Sequence, residues 1–171
     1  VTIRKEAMRK KILIPTDFTV QSLNTLKNFL QNTSETSVDL VLLHGMHSGD
    51  SIRDLLFKTS HKHMESLVSQ EFEEAIEVLR NKFQSQINTL KTDFFSGFTQ
   101  TAFNNYTEAN KIDQIVMSNQ KPKLQRSKSF DLAPFIKKSS INTEIIDTTQ
   151  NTNLPEKGKL AEVFFNQVSV G

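Results

Sequence analysis

Short, nearly unbroken apolar runs alternate along the chain with longer stretches in which apolar side chains recur every three or four positions. In "KILIPTDF" residues 12–14 form a compact apolar run closed by Pro15, which lacks the N–H of a central ladder, so a strand is predicted there. Leu23, Leu26, Phe29 and Leu30 then fall at helical spacing, with Thr19 or Ser22 as the capping residue and the polar "QNTSETS" as the stop. "VDLVLLHG" is apolar at almost every position, the pattern of a strand covered on both faces. A long helical pattern within 51–86 places Val68, Phe72, Ala75, Ile76, Leu79 and Phe83 on one face, and a weaker helix is predicted over 52–57.

The second half repeats the alternation. "INTLKTDFF" reads as a third strand ending at Ser96 and Gly97, followed by a helix capped by Thr99 or Thr101 with Ala102, Phe103, Tyr106 and Ala109 on its apolar face. "KIDQIVMS" is the fourth strand, "DLAPFIKKSS" a short helix with Asp131 as N-cap and Pro134 in its first turn, and "INTEIID" the fifth strand. Strand and helix in strict alternation predict an α/β fold, a doubly wound five-stranded parallel sheet with helices on both faces. The last stretch opens with polar "TTQNTN" and recovers an apolar segment, "LAEVFFNQVSV", expected to dock on its own domain or on a dimer partner.

Composition narrows the picture. With 171 residues, 36% of them hydrophobic, one core is the simplest reading, organised as an extension over 1–9, a domain over 10–147 and a tail over 148–171. No cysteine is present, which removes disulfides, thiolate metal sites and a cysteine nucleophile and accords with a reducing compartment. A formal charge of +2 argues against a broad nucleic-acid surface, so nucleic acid is not an expected partner. No apolar run reaches the roughly 20 residues that span a bilayer, so no membrane contact is expected and the protein is expected to be cytoplasmic. Met8 in "MRKKILIP" is a plausible start.

"KKILIPTDFTVQSLNTLKNFL", "VLLHGMHS" and "ANKIDQIVMSNQK", in this order and with a long helical insertion after the second, resemble a universal stress protein domain over 10–147. The resemblance implies a Rossmann-like five-stranded parallel sheet, often a homodimer through the last strand, and in one branch ATP bound at the carboxyl ends of the strands. That branch joins an Asp after the first strand to a glycine loop of the form G-x2-G-x9-G-S/T after the fourth.

Pro15, Thr16 and Asp17 match the first part, but Met117, Ser118, Asn119, Gln120 and Lys121 stand where the loop begins, and its last Gly-Ser falls near Phe130 and Asp131. No glycine occurs between Gly97 and Gly158. Glycine lets backbone N–H groups approach phosphate without an intervening Cβ, so the family's cradle cannot form here. Asp131 also brings a carboxylate to the helix start where a phosphate would sit. Gly45 follows His44 where the family often has a valine lining the adenine pocket.

Other chemistry is sparse. Lys121, Lys123, Arg126 and Lys128 form a basic loop with no acid between Asp113 and Asp131; it is read as a solvated surface that can attract an anion by charge alone. Ser129 ends "RSKS", a sequence that suits a kinase preferring basic neighbours. Asp17 is a candidate base or magnesium ligand, or the cap of the turn after the first strand. His44 with His47, and His61 with His63, lack a third ligand at metal-binding spacing, so no metal is expected. The thirteen phenylalanines read as core rather than as a base-stacking platform.

The expectation is therefore a universal stress protein-like domain without the family's ATP loop, non-catalytic, acting in stress response through protein contacts. It is expected to form a homodimer through the last strand and the tail, and to need no cofactor. The alternative is binding of ATP with Mg by a rearranged loop, for which the candidate residues are Pro15, Thr16, Asp17, His44, Gly45, Met117, Ser118, Lys121 and Ser129.

Overall fold

Alternation within the two central strands sorts the side chains into two cores. Ile12, Ile14, Leu40 and Leu42 point to one face of the sheet and Leu13, Val41 and Leu43 to the other, all of them buried. The structure is a computed structural model and describes residues 9–47, 68–124 and 128–149. Its strands are β1 (Lys10–Pro15), β2 (Val38–Met46), β3 (Ile87–Phe95), β4 (Gln114–Ser118), β5 (Ser129–Phe130) and β6 (Asn142–Ile146). Its described helices are α1 (Leu23–Asn32), α2 (Gln70–Lys82), α3 (Gln100–Ala109) and α4 (Ala133–Lys137).

The main sheet runs β3-β2-β1-β4-β6 with every pair parallel. The chain winds outward from β1 to β3 and then returns to place β4 on the other side of β1, which makes the β1/β4 boundary the switch point of a doubly wound sheet. α1 and α2 cover one face, packing Leu23, Leu26, Phe72 and Leu79 against Ile12 and Leu42. α3 and α4 cover the other with Phe103 and Ile136 against Leu13 and Ile115. Among the described residues, no helix is long and apolar enough to cross a membrane.

The predicted alternation is present, with three departures and one choice settled between two expected caps. The sheet has six strands, because β5 adds to β2 in antiparallel register, Gly45 opposite Phe130 and Met46 opposite Ser129. Thr19, rather than Ser22, caps the first helical segment, where a 3-10 turn (Val20–Ser22) precedes α1 and the Thr19 side chain accepts the Ser22 N–H. Thr107, one turn on from Phe103, is buried in α3 in place of Ala109, which lies exposed at the helix end. Leu132, rather than Asp131, occupies the N-cap position of α4; Asp131 stands one residue earlier and its Oδ1 accepts the Ala133 N–H at 2.9 Å.

Thr99 caps α3 through the Ala102 N–H. Ser69 does the same for α2, with Glu71 and Glu73 in the first turn and Arg80 and Lys82 in the last, an arrangement that suits the helix dipole. The helix predicted over 52–57, the beginning of the pattern over 51–86, and the tail beyond Thr149 lie outside the described residues.

Candidate functional site

The carboxyl ends of β1, β2 and β4 open onto a cleft lined by Pro15, Thr16, Asp17, Gly45, Met117, Ser118 and Lys121 among others. Seven of the nine candidate residues therefore meet at the switch point. His44 and Ser129 lie behind the wall, hydrogen-bonded to one another. The cleft measures about 90 Å³, against roughly 300–1,000 Å³ for pockets that enclose a drug-sized ligand.

Pro15 ends β1, and the chain then turns sharply. Phe18 adopts φ 63°, a left-handed conformation uncommon for a bulky residue, and its ring packs 4.7 Å from that of His44. The turn is held by side chains: Thr16 Oγ1 accepts the Phe18 N–H, and Asp17 Oδ1 accepts both the N–H and the hydroxyl of Thr19. The other carboxylate oxygen, Oδ2, accepts the N–H of Lys123 at 2.7 Å. Asp17 is thus the turn cap, and it also fastens the loop after β4.

Three of that loop's described N–H groups bond within the protein. The Asn119 N–H bonds Ile146 O at 3.0 Å, the Gln120 N–H bonds Ser118 Oγ at 3.0 Å, and Lys123 N–H bonds Asp17. Pro122 has no N–H to offer. Ser118 Oγ lies 2.6 Å from Thr148 Oγ1, and Thr148 N–H donates to Asn119 Oδ1, so the start of the loop is tied to the end of β6. Lys121 and Lys123 are exposed; Arg126 lies outside the described residues.

Gly45 has a structural reason that the sequence did not make explicit. A Cβ there would lie 2.8 Å from Phe130 O and 2.9 Å from the Phe130 ring, so glycine is what lets β5 approach β2. The Phe130 ring then forms part of the cleft wall and stacks 4.2 Å from His47, which has Phe98 on its other side at 4.8 Å. β5 is further held by the His47 N–H bonding Lys128 O at 2.8 Å. The one signal available was a glycine inside an otherwise apolar strand.

His44 is 3% exposed. Its Nδ1 lies 2.9 Å from Thr16 O and its Nε2 2.8 Å from Ser129 Oγ. A carbonyl only accepts, so Nδ1 carries the proton. Burial holds the ring below the ordinary histidine pKa of 6.5, against the opposing pull of the Thr16 carbonyl and of Asp17. Both nitrogens of His44 have protein partners, His47 is enclosed by two rings, and His61 and His63 lie outside the described residues. Among the described residues no three His, Cys, Asp or Glu side chains converge on one point.

The sequence pattern of the "Universal stress protein family" matches residues 8–128. The chain belongs to the universal stress protein family. Solved structures agree on the fold. The hypothetical protein MJ0577 superposes with TM-score 0.51 at 20% identity, over 82% of this chain and 96% of that one. The hypothetical protein PH0823 gives TM-score 0.51 at 18% identity, over 81% and 96%. A universal stress protein family member from Arabidopsis thaliana, solved with AMP bound, gives TM-score 0.50 at 11% identity, over 86% and 97%. No curated protein is significantly similar in sequence.

Proposed function

We propose that this chain is a universal stress protein domain whose phosphate loop is closed against adenine nucleotides, and that it acts in the cytoplasm through contacts with other proteins. The observation that carries this reading is the engagement of the Asn119, Gln120 and Lys123 N–H groups inside the protein. A phosphate in a cradle of this kind is held by converging backbone donors, and breaking these bonds to supply them would cost about as much as each new bond returns. Lysine side chains alone bind phosphate as point charges without fixing its geometry.

Protein contact is supported by what faces solvent. Phe98 is 67% exposed and Leu124 is exposed on the loop after β4, both at the carboxyl end of the sheet, and Ile145 is 61% exposed on the edge strand β6. An edge strand with a bare apolar side chain calls for a cover, and a second copy of the chain supplies one through symmetric pairing, with the tail contributing.

The AMP complex of the Arabidopsis relative makes adenine-nucleotide binding the competing reading, since seven of this chain's candidate residues do line one cleft. The test is to purify the full chain without added nucleotide, release small molecules with acid and separate them by chromatography. No adenine nucleotide is expected; a stoichiometric amount would overturn the proposal.

A further inference from the structure

Phe98 is 67% exposed, yet its surroundings hold it in place. Its ring stacks on that of His47 at 4.8 Å with an interplanar angle of 6°, and His47 stacks in turn on Phe130 at 4.2 Å. Just before it, Gly97 packs so closely that a Cβ would lie 2.6 Å from the Phe95 ring and 2.8 Å from Ala102 Cβ. Just after it, Thr99 caps α3 through the Ala102 N–H. A large apolar ring turned to water forgoes the free energy of burial in its own fold. Because it is already positioned, it also loses little freedom when a partner covers it.

The stack runs into the cleft at the switch point. Phe130 is a wall of that cleft, and so are the exposed Leu124, Lys121 and Lys123. Lys128 adjoins the stack, since its carbonyl accepts the His47 N–H. All three lysines are exposed, and none makes an ion pair with a described residue. The two carboxylates of the cleft are half-buried and turned to backbone donors: Asp17 accepts the Thr19 and Lys123 N–H groups, and Asp131 accepts that of Ala133. The outer surface is therefore apolar at Phe98 and Leu124 and cationic around them.

We infer that this surface docks a short acidic segment of another protein, whose apolar side chains pack on Phe98 and Leu124 and whose carboxylates face Lys121, Lys123 and Lys128. The inference rests on the reading that the chain acts through protein contacts, and it names the chemistry of the partner. Complementary charge selects an acidic segment over a neutral or basic one and steers its approach. The stacked Phe98 ring is the kind of aromatic anchor on which interface energy concentrates. A peptide is favoured over nucleic acid because the formal charge of the whole chain is only +2 and the cations flank one loop, not a track that could follow a phosphate backbone.

The experiment selects random short peptides displayed on phage against the full chain. Enriched sequences are expected to carry a surplus of aspartate and glutamate beside leucine or phenylalanine. A fluorescein-labelled synthetic peptide of the enriched sequence should bind less tightly as salt is added, and should shift the amide resonances of His47, Phe98, Lys123 and Lys128. Phe98→Ala should weaken it by a factor of about 10 or more, the range of a truncated anchor. Replacing Lys121, Lys123 and Lys128 together by alanine should weaken it by a factor of about 3 or more, as for exposed ion pairs. No enrichment, enrichment of basic or uncharged sequences, or undiminished binding by Phe98→Ala overturns the inference. An oligothymidylate that binds the same amides more tightly than the peptide also overturns it, in favour of nucleic acid. So does a dimer that Phe98→Ala dissolves in light scattering, in favour of a second copy. Adenine nucleotide carried by the purified chain would instead strike the reading on which the inference rests, so the two failures are distinguishable.

Discussion

Asp17 and Lys123 are joined by a hydrogen bond of 2.7 Å from the lysine backbone N–H to the aspartate Oδ2, across 106 positions of sequence. The same carboxylate caps the turn after β1 through Thr19. One side chain thus sets the shape of both loops at the switch point, and the loop after β4 is held by a protein carboxylate at the place where related folds bring anions.

Asp17→Ala removes the acceptor of two backbone N–H groups and one hydroxyl. A loss of about 1–3 kcal/mol of unfolding free energy is expected, since lost acceptors leave donors to be satisfied by water. Asp17→Asn, which keeps an oxygen for the Thr19 side, should lose less. Urea denaturation measures both, and amide exchange at Lys123 should accelerate in the alanine variant. Unchanged exchange at Lys123 would contradict the fastening role.

Gly45→Val forces a Cβ into contact with Phe130 O and the Phe130 ring. Overpacking of this kind costs about 1–3 kcal/mol, with β5 displaced from β2. The melting temperature should fall, and exchange of the His47 amide, which bonds Lys128 O, should increase. A valine variant as stable as the parent would mean that the approach of β5 to β2 is not close.

His44 gives a pH dependence of definite sign. Burial lowers its folded pKa below the ordinary 6.5, while the Thr16 carbonyl and Asp17 oppose the shift. Between the two values the unfolded chain holds more protons than the folded one, so stability rises with pH. The contribution of neutral His44 is full above about 6.5 and is lost as pH falls from there through the folded value. Melting at about pH 7.5 and about pH 5.5 should show a drop that is smaller in His44→Gln, which has no imidazole to charge. An equal drop in both would remove His44 as its source.

Ile145→Lys places a charge on the exposed apolar position of the edge strand β6. Charged residues block edge-to-edge pairing, whereas an exposed substitution of this kind changes monomer stability by only about 0.5 kcal/mol. Light scattering should report a dimer for the parent and a monomer for the variant. A monomeric parent would refute the dimer, and a variant that stays dimeric would remove β6 from the interface.

The main sheet was legible because a strand buried on both faces leaves a contiguous apolar run, as "VDLVLLHG" does for β2, while "INTLKTDFF" coincides with β3, an edge strand in which only Phe95 is fully buried. The turn-capping role of Asp17 was legible from its position after β1. The bond from Lys123 N–H to Asp17 was not, because a backbone donor has no residue identity and its partner is far away in sequence. β5 escaped for a related reason: two residues carry no periodicity, and their pairing with Gly45 and Met46 is set by tertiary approach. Asp131 was read as the cap of α4 from its residue type; Leu132 holds the N-cap position, but Asp131 Oδ1 does accept the Ala133 N–H at the helix start.

The central proposal is that the loop after β4, whose Asn119, Gln120 and Lys123 N–H groups bond within the protein, does not cradle a phosphate. Isothermal titration of the full chain with Mg-ATP measures this most directly. The account predicts no saturable heat at micromolar ligand, a regime that requires about 8 kcal/mol of binding free energy. A saturable isotherm with a micromolar Kd that is lost in Asp17→Ala would contradict it.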